Sequence, residues 1–232
     1  EGDSVAYSVW IDSLTPSSTG NTVVIEYDFT KQTAGGLIVL GFDFLTHPDS
    51  SELATSTRCS GIPGGTNVPN CAGMGAPGPT MSIPSDPFTF STSGVNAPLN
   101  GQTVAAREAA YSLSHPTTPR EPVIFGGSIT AISLPSKIGD PNTAASRSQV
   151  TITFTVGPFN ANSCASATSC AVNILFGAHL ARGTSFDAGW GVNRGASQFP
   201  GSSLATSIDG GSRSIAPSGI TPPANPTITT VL

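Results

Sequence analysis

At 232 residues the chain is long for one domain but normal for a single decorated β-sandwich, and it carries enough apolar residues to bury a sizeable core. Only 10% of residues are charged and two are lysines, Lys31 and Lys137, so solubility rests on Ser, Thr, Asn and Gly, a balance suited to the cell exterior. The net charge of −5 comes without a basic cluster, which argues against nucleic-acid binding, and the longest apolar run, residues 37–40, falls far short of the roughly 20 residues of a membrane span.

In chain order, Val5, Tyr7, Val9 and Ile11 form one apolar face of a first strand. Val23, Ile25, Tyr27 and Phe29 do the same in a second, with Glu26 and Asp28 on the opposite face. Residues 37–44 are nearly continuous apolar, as expected of one strand buried on both faces or central in a sheet. Residues 47–100 read as a long Gly/Pro-rich loop insertion with at least one short strand, at 88–91. Residues 104–113 are the best helical candidate, two or three turns rich in alanine. Further strands are expected over 122–134, 149–156 and 171–181, the middle one a clean alternation of Val150, Ile152, Phe154 and Val156 with threonines. The pair 22–30 and 36–45 is echoed by 150–157 and 171–180, an alternating strand followed by a denser apolar one. A final short strand, with Ile228, Val231 and Leu232, follows a proline-rich tether, so residues 221–232 read as a tethered C-terminal strand. Antiparallel strands with turn-rich links give an all-β, single-domain antiparallel sandwich over residues 1–232, jelly-roll or immunoglobulin-like, with long disulfide-stapled loops.

The cysteines fall as two local pairs, Cys59 with Cys71 and Cys164 with Cys170. An even count at close spacing favours two loop-stapling disulfides, although three pairings are formally open. Zinc is the competing reading, but the spacings and the absence of nearby histidines do not suit it. Disulfides imply an oxidising compartment, and the opening Glu1-Gly2-Asp3 is then expected to follow a secretion signal already removed. No asparagine sits in an N-glycosylation sequon, which leaves O-glycans open.

Catalytic and cofactor motifs fail their context tests. Gly73-x-Gly75-x-x-Gly78 follows a cysteine rather than a strand and contains Pro77, so no helix N-terminus awaits a pyrophosphate. No Gly-x-Ser-x-Gly elbow occurs, and His47 and His115 each precede a proline in loop-like sequence. His179 ends an apolar strand and reads as a hydrogen-bonded histidine at the core edge rather than a catalyst. The chain is therefore read as non-enzymatic, with no catalytic residues, no cofactor and no assigned metal site. Calcium is the one cation that the loop oxygens of Asp140, Asp187, Asn193 and Asp209 would suit, set against the simpler reading of Asx turns.

The richest stretch is 175–215. It holds Phe176-Gly-Ala-His-Leu-Ala, then Asp187-Ala-Gly-Trp-Gly-Val-Asn-Arg-Gly-Ala-Ser, then Pro200-Gly-Ser-Ser-Leu and Asp209-Gly-Gly-Ser-Arg-Ser. This resembles a β-sandwich module of large secreted bacterial adhesin-like surface proteins, in which a strand ending W/F-G-A-H-L-A leads to D-W-G-x-G-x-G-A-S, a turn, L-D-G and D-R-S. The chain departs by inserting Ala188 and Gly189 before Trp190 and by carrying Gly211-Ser212 before Arg213. The resemblance implies an extracellular β-domain of a surface or matrix protein and carries over no catalytic role. Physically the stretch reads as a structured loop in which Trp190 is a buried anchor and Arg213 pairs with Asp187 or Asp209. The alternative is that Asp187, Trp190, Asn193, Asp209 and Arg213 form a ligand or calcium loop.

The function expected from these readings is a secreted, extracellular structural subunit or surface module that self-associates into filaments by β-strand donation. The donor candidates are Val5, Tyr7, Val9 and Ile11 at one end and Ile228, Val231 and Leu232 at the other. The alternatives are a monomeric adhesin for a cell-surface or matrix ligand, and an unrecognised hydrolase. The expected partners include neither nucleic acid nor a membrane.

Overall fold

The computed structural model describes residues 1–48, 74–92, 99–185, 188–201, 203–209 and 211–220. Cys59, Cys71, Asp187, Ile228, Val231 and Leu232 lie outside the described residues. In chain order the elements are β1 (Ser4–Leu14), β2 (Asn21–Gln32), β3 (Ile38–Leu40), β4 (Phe42–Thr46), α1 (Val104–Ser114), β5 (Val123–Phe125), β6 (Gly127–Ile132), β7 (Ser136–Ile138), β8 (Ser146–Val156), β9 (Cys164–Ser166), β10 (Ser169–Leu180), β11 (Leu204–Ile208) and β12 (Gly211–Ile215).

The strands form two antiparallel sheets. The first runs β1-β10-β4, with β5 and β9 also paired to β10; the second runs β12-β11-β2-β8-β6, with β3 on β2 and β7 on β8. Each alternating row points inward. Val9, Ile174 and Phe176 from the first sheet meet Val23, Ile25, Tyr27, Val150, Ile152 and Phe154 from the second in one buried cluster. Full burial of each such side chain contributes about 1.5–3 kcal/mol, so this row-on-row contact is the main reason for a two-layered fold. The echoing segments occupy matched places. β2 and β8 lie side by side in one sheet, and β4 and β10 lie side by side in the other.

Two expected strands are each divided between the sheets. The run 37–44 breaks at Gly41, so that β3 pairs with β2 while β4 pairs with β10. The run 122–134 breaks at Gly126, sending β5 to β10 and β6 to β8. The reason is steric. A Cβ on Gly41 would lie 2.1 Å from a Leu204 methyl and 2.9 Å from the Asp28 carbonyl oxygen; one on Gly126, where φ is +77°, would lie 2.5 Å from the Ala171 carbonyl oxygen. Only glycine lets the chain cross at these corners, and hydropathy alone does not mark a corner.

α1 covers the outer side of the first sheet. Thr103 caps it, its hydroxyl accepting from the Ala106 N–H at 3.1 Å, and Val104, Glu108 and Tyr111 form its buried stripe. With Phe29, Ile38, Leu40, Phe44, Phe90 and Trp190, Val104 and Tyr111 make a second core. The Cys164–Cys170 disulfide ties β9 to β10, as the local spacing anticipated. The expected short strand at 88–91 is reduced to a single bridge between Thr89 and Thr103.

Candidate functional site

The polar centre of the molecule lies under α1, on the side of β10 and β4 that faces away from the sandwich interior. Pleating puts His179 of β10 beside Phe44 of β4, and their rings stack at 4.4 Å between centroids. Asp43, the one acidic residue inside the apolar run 37–44, is buried there. Its Oδ1 lies 2.6 Å from His179 Nδ1, and its Oδ2 accepts from Trp190 Nε1 at 2.8 Å. The other imidazole nitrogen, Nε2, lies 3.0 Å from the Gly2 carbonyl oxygen. Both neighbours of the ring are acceptors, a carboxylate and a carbonyl. Both ring nitrogens are thereby engaged by protein oxygens.

Trp190 is fully buried, and the Arg107 guanidinium of α1 covers its face 4.4 Å from the ring centre while donating to the Gly189 carbonyl at 2.8 Å. Desolvation lowers the Arg107 pKa from its ordinary value, and the nearby Asp43 charge opposes that shift. Beside this cluster is a cleft of about 530 Å³, lined in part by Gly2, Asp3, Asp43, Arg107, Tyr111 and His179.

The N-terminal residues close over one side. Gly2 N–H donates to the Leu180 carbonyl, and Leu180 N–H to the Asp3 carbonyl. The Glu1 carboxylate accepts from Gly183 N–H at 2.7 Å, from Ser197 N–H at 2.8 Å and from the Ser197 hydroxyl at 2.5 Å. Gly195 leaves room for it, since a Cβ there would come within 2.6 Å of the Glu1 carboxylate. Gly183 and Ser197 are thereby tied to the N-terminal residues, and further bonds join their neighbours to the sheets. Ala181 N–H donates to Gly41, Leu40 N–H to Arg194, and the Arg194 side chain to the Ile38 carbonyl at 2.7 Å.

A second buried polar group lies across α1. Glu108 pairs with Arg120 at 2.6 Å and accepts from the Ser85 hydroxyl at 2.6 Å and from Asp86 N–H at 3.1 Å. Burial pushes the Glu108 pKa up, and Arg120 and the hydrogen bonds pull it back. Lys137 Nζ lies 2.5 Å from Asp86 Oδ2, and desolvation lowers its pKa against the opposing pull of Asp86.

The described residues among those singled out from sequence as a ligand or calcium loop lie apart from one another. Trp190 belongs to the Asp43 cluster. Asn193 is exposed with φ of +61°. Asp209, at φ of +40°, turns to the second sheet, where its Oδ1 accepts from Val24 N–H at 3.2 Å. Arg213 is exposed on β12 and donates to the Ser212 carbonyl. Asp140 forms an Asx turn, accepting from Asn142 N–H at 3.0 Å and from the Thr143 hydroxyl at 2.9 Å. These hydrogen bonds hold its pKa below the ordinary aspartate value. Among the described residues no three His, Cys, Asp or Glu side chains converge to hold a metal ion. Val5, Tyr7, Val9 and Ile11 lie in β1, paired with Ala178, Phe176, Ile174 and Val172 of β10.

Sequence reading missed Asp43, Glu108, Asp86 and Lys137. The usable signals were a lone acid inside an apolar run and a lysine in a chain with two of them. No protein-family model, no curated protein and no solved structure matches the chain.

Proposed function

We propose that the chain is an extracellular structural subunit or surface module, secreted or held at the cell surface. Its sandwich is of the jelly-roll or immunoglobulin-like kind, and it self-associates by β-strand donation between copies. The observation that carries this reading is the way β1 is held. β1 is the outer strand of its sheet, paired with β10 alone among the described residues, and of its eleven residues only Ser4 and Val9 are buried. Its inward row packs on the core through Val5, Tyr7, Val9 and Ile11, so a second copy's β1 could take the same seat with the same register. The Glu1 socket and the Gly2 bond to His179 fix that register at one end. The polar cluster of His179, Asp43 and Trp190 serves the scaffold in this reading, because its hydrogen-bonding groups are already engaged. That engagement is also what weighs against a hydrolase.

A second reading, a ligand-binding adhesin, is favoured by one specific feature. A cleft of about 400 Å³ beside the Cys164–Cys170 disulfide is lined by Trp10, Asp12, Ser13, Asn162 and Ser163 among others. An aromatic face flanked by hydroxyl, amide and carboxylate groups suits a sugar ring.

Light scattering and electron microscopy of three chains test the first reading: the intact chain, a chain ending at Thr221, and a Val9→Cys/Ile174→Cys chain in which β1 is locked to its own β10. Oligomers that vanish in the locked chain identify β1 as the donor, and oligomers that vanish on truncation identify the C-terminal strand. A monomer throughout refutes strand donation and leaves the adhesin reading.

A further inference from the structure

Lys137 is in an unusual position for a lysine. Its side chain is 9% exposed, its ammonium lies 3.6 Å from the centre of the Phe29 ring and 5.4 Å from that of Phe88, and it reaches two oxygens, Asp86 Oδ2 and Ser148 Oγ, each at 2.5 Å. Asp86 is 1% exposed, and its carboxylate is oriented: Oδ1 accepts from Phe88 N–H at 2.9 Å while Oδ2 faces the lysine. Glu108 holds the Asp86 backbone from the other side. Two full charges sealed among aromatic rings are a costly arrangement, because desolvation opposes the Coulombic gain. We propose that Lys137 and Asp86 condense into an intramolecular isopeptide bond, an amide between Lys137 Nζ and Asp86 Cγ.

The chemistry needs no outside reagent. One ammonium proton passes to Oδ2 along the existing contact, converting the ion pair to an amine and a carboxylic acid. The Nζ lone pair then attacks Cγ, with the Phe88 N–H stabilising negative charge that develops on Oδ1. A second Nζ proton moves to Oδ2, the Cγ–Oδ2 bond breaks, and water leaves; the third proton remains as the amide N–H. Ammonium plus carboxylate thus gives amide plus one water. Burial of Lys137, which lowers its pKa, favours the neutral amine that the attack requires. Fixing nucleophile and carboxyl in contact makes the step unimolecular, and the aromatic lining keeps water from reversing it. Glu108 and Ser148 act as positioning residues. The product would staple β7 to the segment before α1, closing the second core covalently.

Intact-mass measurement of the folded, then reduced and denatured, chain reads the bond directly. The expected mass is one water below that of the sequence, and tryptic digestion should yield a branched peptide joining the Lys137 and Asp86 segments, with no cleavage after Lys137. Lys137→Arg and Asp86→Ala should each restore the mass of the water, which separates the cross-link from dehydration elsewhere. Asp86→Asn should reach the same cross-linked mass as the native chain by losing ammonia. A folded native chain of full sequence mass, cleaved normally after Lys137, overturns the proposal whether or not the variants fold. Loss of water that persists in Lys137→Arg overturns it equally.

Discussion

Asp43 offers a sharp test of whether charge or hydrogen-bond counting organises the centre of the molecule. In the native chain its two oxygens face His179 Nδ1 and the Trp190 Nε1–H, and His179 Nε2 faces the Gly2 carbonyl. Asp43→Asn keeps size and shape. Its carbonyl can accept from Trp190, its amide can donate to His179 Nδ1, and the ring then keeps a single proton on Nε2 for Gly2. Trp190, His179 and Gly2 each keep a hydrogen-bond partner. The two charge-assisted bonds of the carboxylate become neutral ones, a loss of about 2 kcal/mol that is partly offset because no buried carboxylate need be desolvated, for a net cost of about 1 kcal/mol. Asp43→Ala instead strands the Trp190 N–H and the imidazole among apolar groups, which costs about 3–5 kcal/mol. Equilibrium urea unfolding followed by tryptophan fluorescence measures both, with equal slopes required for the comparison. If Asp43→Asn proves as damaging as Asp43→Ala, the charge is what matters and the hydrogen-bond argument is wrong.

Two other perturbations follow from packing and burial. Gly41→Ala forces a methyl against Leu204 and the Asp28 carbonyl and should cost about 2–4 kcal/mol, whereas Gly20→Ala, at φ of +71° with nothing within 4 Å, should cost only the backbone strain of about 1 kcal/mol; thermal or urea unfolding of the pair separates the effects. Glu108 has a raised pKa in the folded chain because burial disfavours its charge, so the folded state holds the proton more tightly than the unfolded one. The resulting stability is full below the ordinary glutamate value and is lost as pH rises through the raised one; Glu108→Gln should flatten that descent in a series of unfolding curves, and an unchanged slope would rule Glu108 out as its source.

The parts of this protein legible in its sequence are those in which local chemistry repeats. Strict alternation in β1, β2 and β8 reports one buried face per strand, because successive side chains on a pleated chain point to opposite sides. The expected helix at 104–113 and the structured helix Val104–Ser114 nearly coincide, because alanines and a capping threonine act within a few residues. The Cys164–Cys170 bond is equally local. Where the two long apolar runs divide was not legible. Both halves of each run are buried, and the break is dictated by Leu204, Asp28 and Ala171, neighbours remote in the chain. The polar centre was hidden for the same reason. Asp43 meets Trp190 across 147 positions and His179 across 136, and Lys137 meets Asp86 across 51. Composition and periodicity determine that this chain folds into β layers; only the pairing of strands decides which polar side chains are enclosed together, because a hydrogen bond or an ion pair depends on contact and not on order along the chain.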